Sequence, residues 1–195
     1  MKILAFETTD AVASVALYLD GAVYETVIET DRRHAESVLP AADALLAAHG
    51  LSAADMDAFA ADVGPGSFTG VRIGVCMANA LGAACAKPVV AVNALEALAH
   101  PFGTETVCAL IDARNGNGYG AVYRGGEALD EPCACVIDAF LAKLPEPCRR
   151  VGTATNDPKL PSAAAVAEIA STRAGEKEIA PLYLKPSQAE RMWNA

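Results

Sequence analysis

The chain has 195 residues, of which 53% are hydrophobic and 20% charged, and its formal net charge is −9. This balance belongs to a packed globular chain, not a disordered one. The acidic excess argues against independent binding of RNA or DNA, which needs clustered Lys and Arg to neutralise phosphates; the dense basic runs are only Asp31-Arg32-Arg33-His34 and Cys148-Arg149-Arg150.

The first apolar run ends at Glu7, too early for a signal-peptide core, and no stretch approaches about 20 uninterrupted apolar residues. A cytoplasmic chain without membrane contact is expected. Ile3 to Thr8 reads as a buried strand with a turn at Thr9-Asp10. Val12 to Leu19 and Ala22 to Ile28 flank Asp20-Gly21, a strong hairpin signal, so three antiparallel strands open the chain. Arg33 to Gly50 follows as a helix with Val38, Ala42, Leu45 and His49 on its apolar face. Its Pro40 is tolerated if the helix begins late.

Asp57 to Val63 is a short strand entering Gly64-Pro65-Gly66; a helix then runs to about Ala86, and Val89 to Val92 is a strand. After a helical turn at Leu95 to Ala99 the order of elements restarts. Thr106 to Ile111 pairs with Gly118 to Tyr123, Cys133 to Ile137 adds a third strand, and Ala163 to Ser171 is a later helix. The expected fold class is α/β, with two lobes spanning 1–100 and 101–195 and a boundary at Pro101-Phe102-Gly103.

The most informative segment is Gly64-Pro65-Gly66-Ser67-Phe68-Thr69-Gly70. A strand entering a Gly-rich turn and then a helix exposes backbone N–H groups at a positive helix end, which Ser67 or Thr69 can cap. Gly64, Gly66, Ser67 and Thr69 are therefore either an anion cradle or a tight turn with a cap; the spacing fits neither Walker A nor G-x-G-x-x-G. In the helix that follows, Gly70, Gly74, Ala78 and Gly82 recur at every fourth position and trace a ridge of minimal height. Such a ridge admits a close neighbour, either another protein or the chain's own first helix.

Constellations for chemistry are missing. His34, His49 and His100 have no metal-ligand spacing, and the six cysteines at 76, 85, 108, 133, 135 and 148 contain no C-x-x-C pair, so reduced structural thiols are expected. Glu7, Asp10, Asp62 and Asp112 lie at or near strand ends, each read as a turn or cap residue. No catalytic set and no metal site are readable.

With these residues laid out, the chain resembles the TsaB (YeaZ) family, a branch of the actin-like ATPase superfamily related to the Gcp/TsaD proteins. The resemblance rests on Gly64 through Gly74, on Ile3-Leu4-Ala5-Phe6-Glu7-Thr8-Thr9 with Ser14-Val15-Ala16-Leu17, and on His34-Ala35-Glu36-Ser37-Val38-Leu39-Pro40. Ile111-Asp112-Ala113-Arg114 with Gly116 and Tyr119, and Pro181-Leu182-Tyr183-Leu184, add to it. It implies two actin-like (ribonuclease H-like) lobes, each a mixed sheet with packed helices. It further implies a non-catalytic subunit in the synthesis of threonylcarbamoyladenosine beside the anticodon of tRNA. That subunit packs against a catalytic TsaD-like partner, and a TsaE-like ATPase joins the complex.

On this resemblance ATP and metal belong to the partner subunits, and tRNA is met only through them. The TsaD metal pair His-x-x-x-His is absent from Asn93 to His100 here. The partner interface is carried by the two helices, as Val38, Ala42, Leu45, Gly70, Val71, Gly74, Ala78 and Gly82, and Gly74→Leu should block assembly while the chain stays folded. An isolated chain would self-pair through the same surface. The second lobe is shorter than in many relatives, and Asn117 replaces an acidic residue common at its hairpin position. The competing reading is an independent actin-like ATPase or phosphotransferase using the Gly64–Gly70 turn.

Overall fold

The computed structural model describes residues 1–29 and 34–185; the basic run at 31–33 and the helix start expected at Arg33 lie outside them. Five strands form the first sheet: β1 (Lys2–Glu7), β2 (Ala13–Leu19), β3 (Ala22–Ile28), β4 (Ala58–Asp62) and β5 (Val89–Val92), in the order β3-β2-β1-β4-β5. The first three pair antiparallel, whereas β4 and β5 join parallel to β1. This arrangement is the first lobe expected from the resemblance, and it arises because a two-residue turn at Asp20-Gly21 permits a hairpin while parallel neighbours need helical crossovers.

Those crossovers are α1 (His34–Ala48) and α2 (Phe68–Cys85). Both cover one face of the sheet, where Leu4, Phe6, Val15, Leu17, Phe59 and Ala61 meet Val38, Ala42, Leu46, Val71, Val75 and Ala78. Pro40 is the seventh described residue of α1, past the first turn. The opposite face carries Ile3, Ala5, Ala16, Ala58 and Ala60 and is equally buried. Burial on both faces explains why these strands read as continuous apolar runs instead of alternating ones.

The second sheet has the order β10-β6-β7-β8 with β9 also beside β7, from β6 (Thr106–Asp112), β7 (Asn117–Arg124), β8 (Glu127–Ala128), β9 (Cys133–Val136) and β10 (Arg149–Val151). Of these, β8 and β10 are too short to leave a sequence signal. The third expected strand stops at Val136 because Ile137 begins the short helix α4 (Ile137–Leu141). Asn117 closes the β6–β7 turn by donating from Nδ2 to the Asn115 carbonyl at 3.1 Å.

The expected division at residue 100 separates the strands of the two sheets but not their helices. The helix α3 (Ala94–Ala99) packs with Leu95 and Leu98 against β6 and β7 of the second sheet. The helix α5 (Ala163–Ala170) returns to the first sheet and packs on β1, β2 and β4. That apolar face is covered by the small residues of α5 together with Ala97 of α3, and the Ala163 N–H donates to Ser14 Oγ at 2.9 Å.

Candidate functional site

The glycine ridge of α2 faces inward. Gly70, Gly74, Ala78 and Gly82 are all buried. A Cβ at Gly70 would overlap the Thr8 carbonyl oxygen, one at Gly74 would lie 2.7 Å from Thr8 Oγ1, and one at Gly82 would overlap Val89 Cγ2. The expectation that this ridge admits a partner is therefore wrong. The neighbours that need the room are the chain's own Thr8, just past the end of β1, and Val89 of β5, and Thr8 grips the helix by donating from Oγ1 to the Gly70 carbonyl at 2.7 Å while accepting from the Gly74 N–H at 3.1 Å. Val38, Ala42, Leu45 and Val71 also belong to the first lobe's core, so all eight expected interface residues lie on the wrong side of their helices. Gly74→Leu would damage the fold and not assembly alone.

The same close approach explains the Gly-rich turn. A Cβ at Gly66 would stand 2.6 Å from the Thr9 carbonyl oxygen. Gly64 has a φ of 97°, where side chains are strained. The Ser67 N–H donates to the Thr9 carbonyl at 2.7 Å, the Gly64 N–H to Asp62 Oδ1 at 2.7 Å, and the Gly70 N–H to Ser67 Oγ at 3.3 Å. These amides are occupied within the chain. Of the two alternatives for Gly64, Gly66, Ser67 and Thr69, the geometry matches a tight turn with Ser67 as its cap.

Ser67 and Thr69 also line a cleft of about 740 Å³ between the lobes, together with Asp10, Asp112, Arg114 and Tyr119. Two carboxylates face one guanidinium there, so the cleft concentrates no positive charge for a phosphate chain. Among the described residues, no group of three or more His, Cys, Asp or Glu side chains is arranged to hold a metal ion. All six cysteines are free, and burial pushes the Cys108 thiol up to about 12, which keeps it protonated and inert.

A second cover for α2, not foreseen from the sequence, is the chain's own C-terminal segment. Asn79 Nδ2 donates to the Ile179 carbonyl at 2.9 Å, and Asn79 Oδ1 accepts from the Ile179 N–H at 3.0 Å. The Leu182 N–H donates to the Val63 carbonyl at 2.7 Å, and Arg72 Nε donates to the Tyr183 hydroxyl at 2.9 Å. The Arg72 guanidinium also sits 3.9 Å over the Phe68 ring, which stacks on Tyr183. Arg72 and Asn79 lie seven apart and are the polar residues of α2's central stretch; that spacing was the available signal for this strap. Asn79→Ala is expected to weaken the fold by about 2 kcal/mol, the loss of two partly buried hydrogen bonds. Hydrogen exchange checks it, with protection lost first around Ile179 and Leu182.

Among the described residues, what remains free on α2 is its outward side. Cys76, Ala80, Ala83 and Ala84 are exposed, with Ile73, Met77 and Leu81 half-buried beside them. From Ile73 to Ala84 this helix carries no charged residue. On α1, Leu39 is 43% exposed and Pro40, Ala44 and Ala47 are exposed as well. One helix among those described, α2, is long and apolar enough to cross a membrane by length and composition; its glycine face and its Arg72–Asn79 side are taken up by the sheet and the strap.

A family model described as "TsaD: tRNA N6-adenosine threonylcarbamoyltransferase" matches residues 25–189. The chain is 39% identical over 131 residues to the tRNA threonylcarbamoyladenosine biosynthesis protein TsaB of Escherichia coli, covering 65% of this chain and 57% of that protein. It is 32% identical over 173 residues to an uncharacterized protein of Mycobacterium tuberculosis, covering 85% of this chain and 82% of that one. The chain spans about half the length of the TsaB proteins it matches. Among solved structures, YeaZ from Pseudomonas aeruginosa superposes with a TM-score of 0.79 at 27% identity, over 94% of this chain and 99% of that one. With its fold, its signature turn and these similarities in agreement, the chain belongs to the TsaB (YeaZ) family, within the wider group that the TsaD model describes.

Proposed function

We propose that this chain is a non-catalytic dimerisation subunit in the biosynthesis of threonylcarbamoyladenosine on tRNA, and that it packs against a catalytic TsaD-like subunit through the outward face of α2 and the exposed part of α1. The observation that carries the reading is the uncharged outward side of α2 from Ile73 to Ala84, an apolar surface without cover among the described residues. The names of the TsaB relatives support the pathway, and the TsaD model supports the kind of partner. The two helices are those expected from the resemblance, but the stripe is the opposite one. ATP and metal would sit on the partner subunits, a TsaE-like ATPase would join them, and tRNA would be held by those partners in the cytoplasm, in keeping with the chain's net charge of −9.

Mixing the purified chain with the TsaD-like subunit of the same cell tests this. A complex on size exclusion with light scattering is expected, with an interface near 1,600 Å², and turnover only in the mixture. No complex, or ATP hydrolysis by the chain alone, would reject the reading. Without a partner the same face is expected to pair two copies of this chain.

A further inference from the structure

Glu7 ends β1 and Asp62 ends β4, on neighbouring parallel strands whose register sets Phe6 opposite Ala61. The two carboxyl groups therefore stand side by side at one end of the sheet, and both residues are fully buried. Glu7 Oε1 accepts from the Thr9 N–H and the Thr9 hydroxyl, each at 2.6 Å, and Asp62 Oδ1 accepts from the Gly64 N–H. Glu7 Oε2 and Asp62 Oδ2 are left with no donor. An ionised carboxylate only accepts hydrogen bonds, so as a pair of anions these oxygens are two orphaned acceptors.

No compensating cation is at hand. Among the described residues no Lys, Arg or His pairs with either carboxyl group. Beyond the pair itself, the charged neighbour that acts on Glu7 is Asp10, which adds negative and not positive charge. A single proton between Oε2 and Oδ2 converts two unsatisfied acceptors into one donor and one acceptor.

We propose that Glu7 and Asp62 hold one shared proton, and that this proton ties the Thr8–Thr9 turn to the Gly64–Gly66 turn and so fixes the seat of α2. The chain of contacts is direct. Glu7 orients Thr9, Asp62 orients Gly64, and Thr8 between them grips Gly70 and Gly74. The inference stands whether or not a partner docks on the far side of the helix. Burial first, and then the Glu7 carboxyl beside it, hold the Asp62 carboxyl well above the usual carboxylate range, and burial raises Glu7 as well.

A carboxyl group raised in the folded state binds its proton more tightly there than in the unfolded chain. Its contribution to stability is complete below an ordinary carboxylate pKa of about 4 and is lost as pH climbs through the folded value. Above that value two like charges stand side by side in the core, and the N-terminal seat of α2 loosens.

The test is a pH titration of the full chain labelled with ¹³C at the aspartate carboxyls. The Asp62 resonance is expected to keep its protonated position at pH 6, where exposed aspartates have ionised. In parallel, Asp62→Asn places an amide donor where the proton sat. It is expected to unfold in urea at a midpoint equal to or above wild type at pH 8, and to lose the fall in midpoint that wild type shows between pH 5 and pH 8. An Asp62 resonance that titrates with the surface aspartates below pH 5 would overturn the proposal, as would an unchanged fall in the variant.

Discussion

Gly70→Ala is expected to destabilise the chain by on the order of 3 kcal/mol or more, the upper range of overpacking in a close-packed interior. The new methyl group would overlap the Thr8 carbonyl oxygen, which is backbone and cannot swing away. Relief would require α2 to lift from β1, and that would break the Thr8 Oγ1 to Gly70 carbonyl bond and open the packing of Val71, Val75 and Ala78. Gly74→Leu is expected to do similar harm, because its side chain would enter a space where a Cβ already lies 2.7 Å from Thr8 Oγ1 and 3.8 Å from the Phe6 Cβ. Urea unfolding of both variants beside a conservative change on the outward side, Ala83→Ser, checks this. A fall in midpoint confined to the two glycine variants is the expected outcome, and wild-type stability in Gly70→Ala would mean that the ridge does not rest on Thr8.

Ala80→Arg is expected to weaken binding of the TsaD-like subunit by about 100-fold, close to 2.7 kcal/mol, with the isolated chain's stability within about 0.5 kcal/mol of wild type. Ala80 lies at the middle of the outward stripe, four residues from both Cys76 and Ala84. An arginine there places a charge on an uncharged surface, which is harmless in water but leaves an unpaired cation once a partner covers it. Glu127→Lys, at the exposed strand β8 of the second lobe, is the matched charge change away from the helices and should leave affinity unaltered. Calorimetric titration of both variants with the partner separates the cases. Equal affinity for Ala80→Arg and wild type would show that the partner seats elsewhere.

The strands, the start of α2 and the hairpins of the first lobe were legible because their determinants are local. Asp20-Gly21 forms a hairpin turn, with Asp20 at φ 48° and Gly21 at φ 102°, and Ser67 caps α2 through the Gly70 N–H. The Gly-rich turn was recognisable as a turn with a cap for the same reason. The orientation of α2 was not legible. Three rows run along that helix at spacing four: Gly70, Gly74, Ala78 and Gly82; Cys76, Ala80 and Ala84; and Ile73, Met77 and Leu81. Periodicity identifies these rows without saying which neighbour each will meet. The glycine row was the natural choice for a partner, since it permits the closest approach. In the fold that closest approach is claimed by the Thr8 backbone, and the alanine row, needing less intimacy, is left outside.

The pairing of distant segments was likewise beyond local reading. Glu7 and Asp62 each looked like a strand-end carboxylate, and only the parallel register of β1 with β4 puts them together in the core. Asn79 and Arg72 were visible as the polar residues of an apolar helix, but their partners at Ile179 and Tyr183 lie about a hundred residues away. The amino-acid sequence by itself determined the main strands and helices of the first lobe and the family, since each follows from residue type and short-range spacing. Only the tertiary structure decided which side of α2 is buried, which helix covers which sheet, and where two carboxyl groups must share a proton. Those outcomes depend on contacts between residues far apart in the chain, and side-chain periodicity within one element carries no record of them.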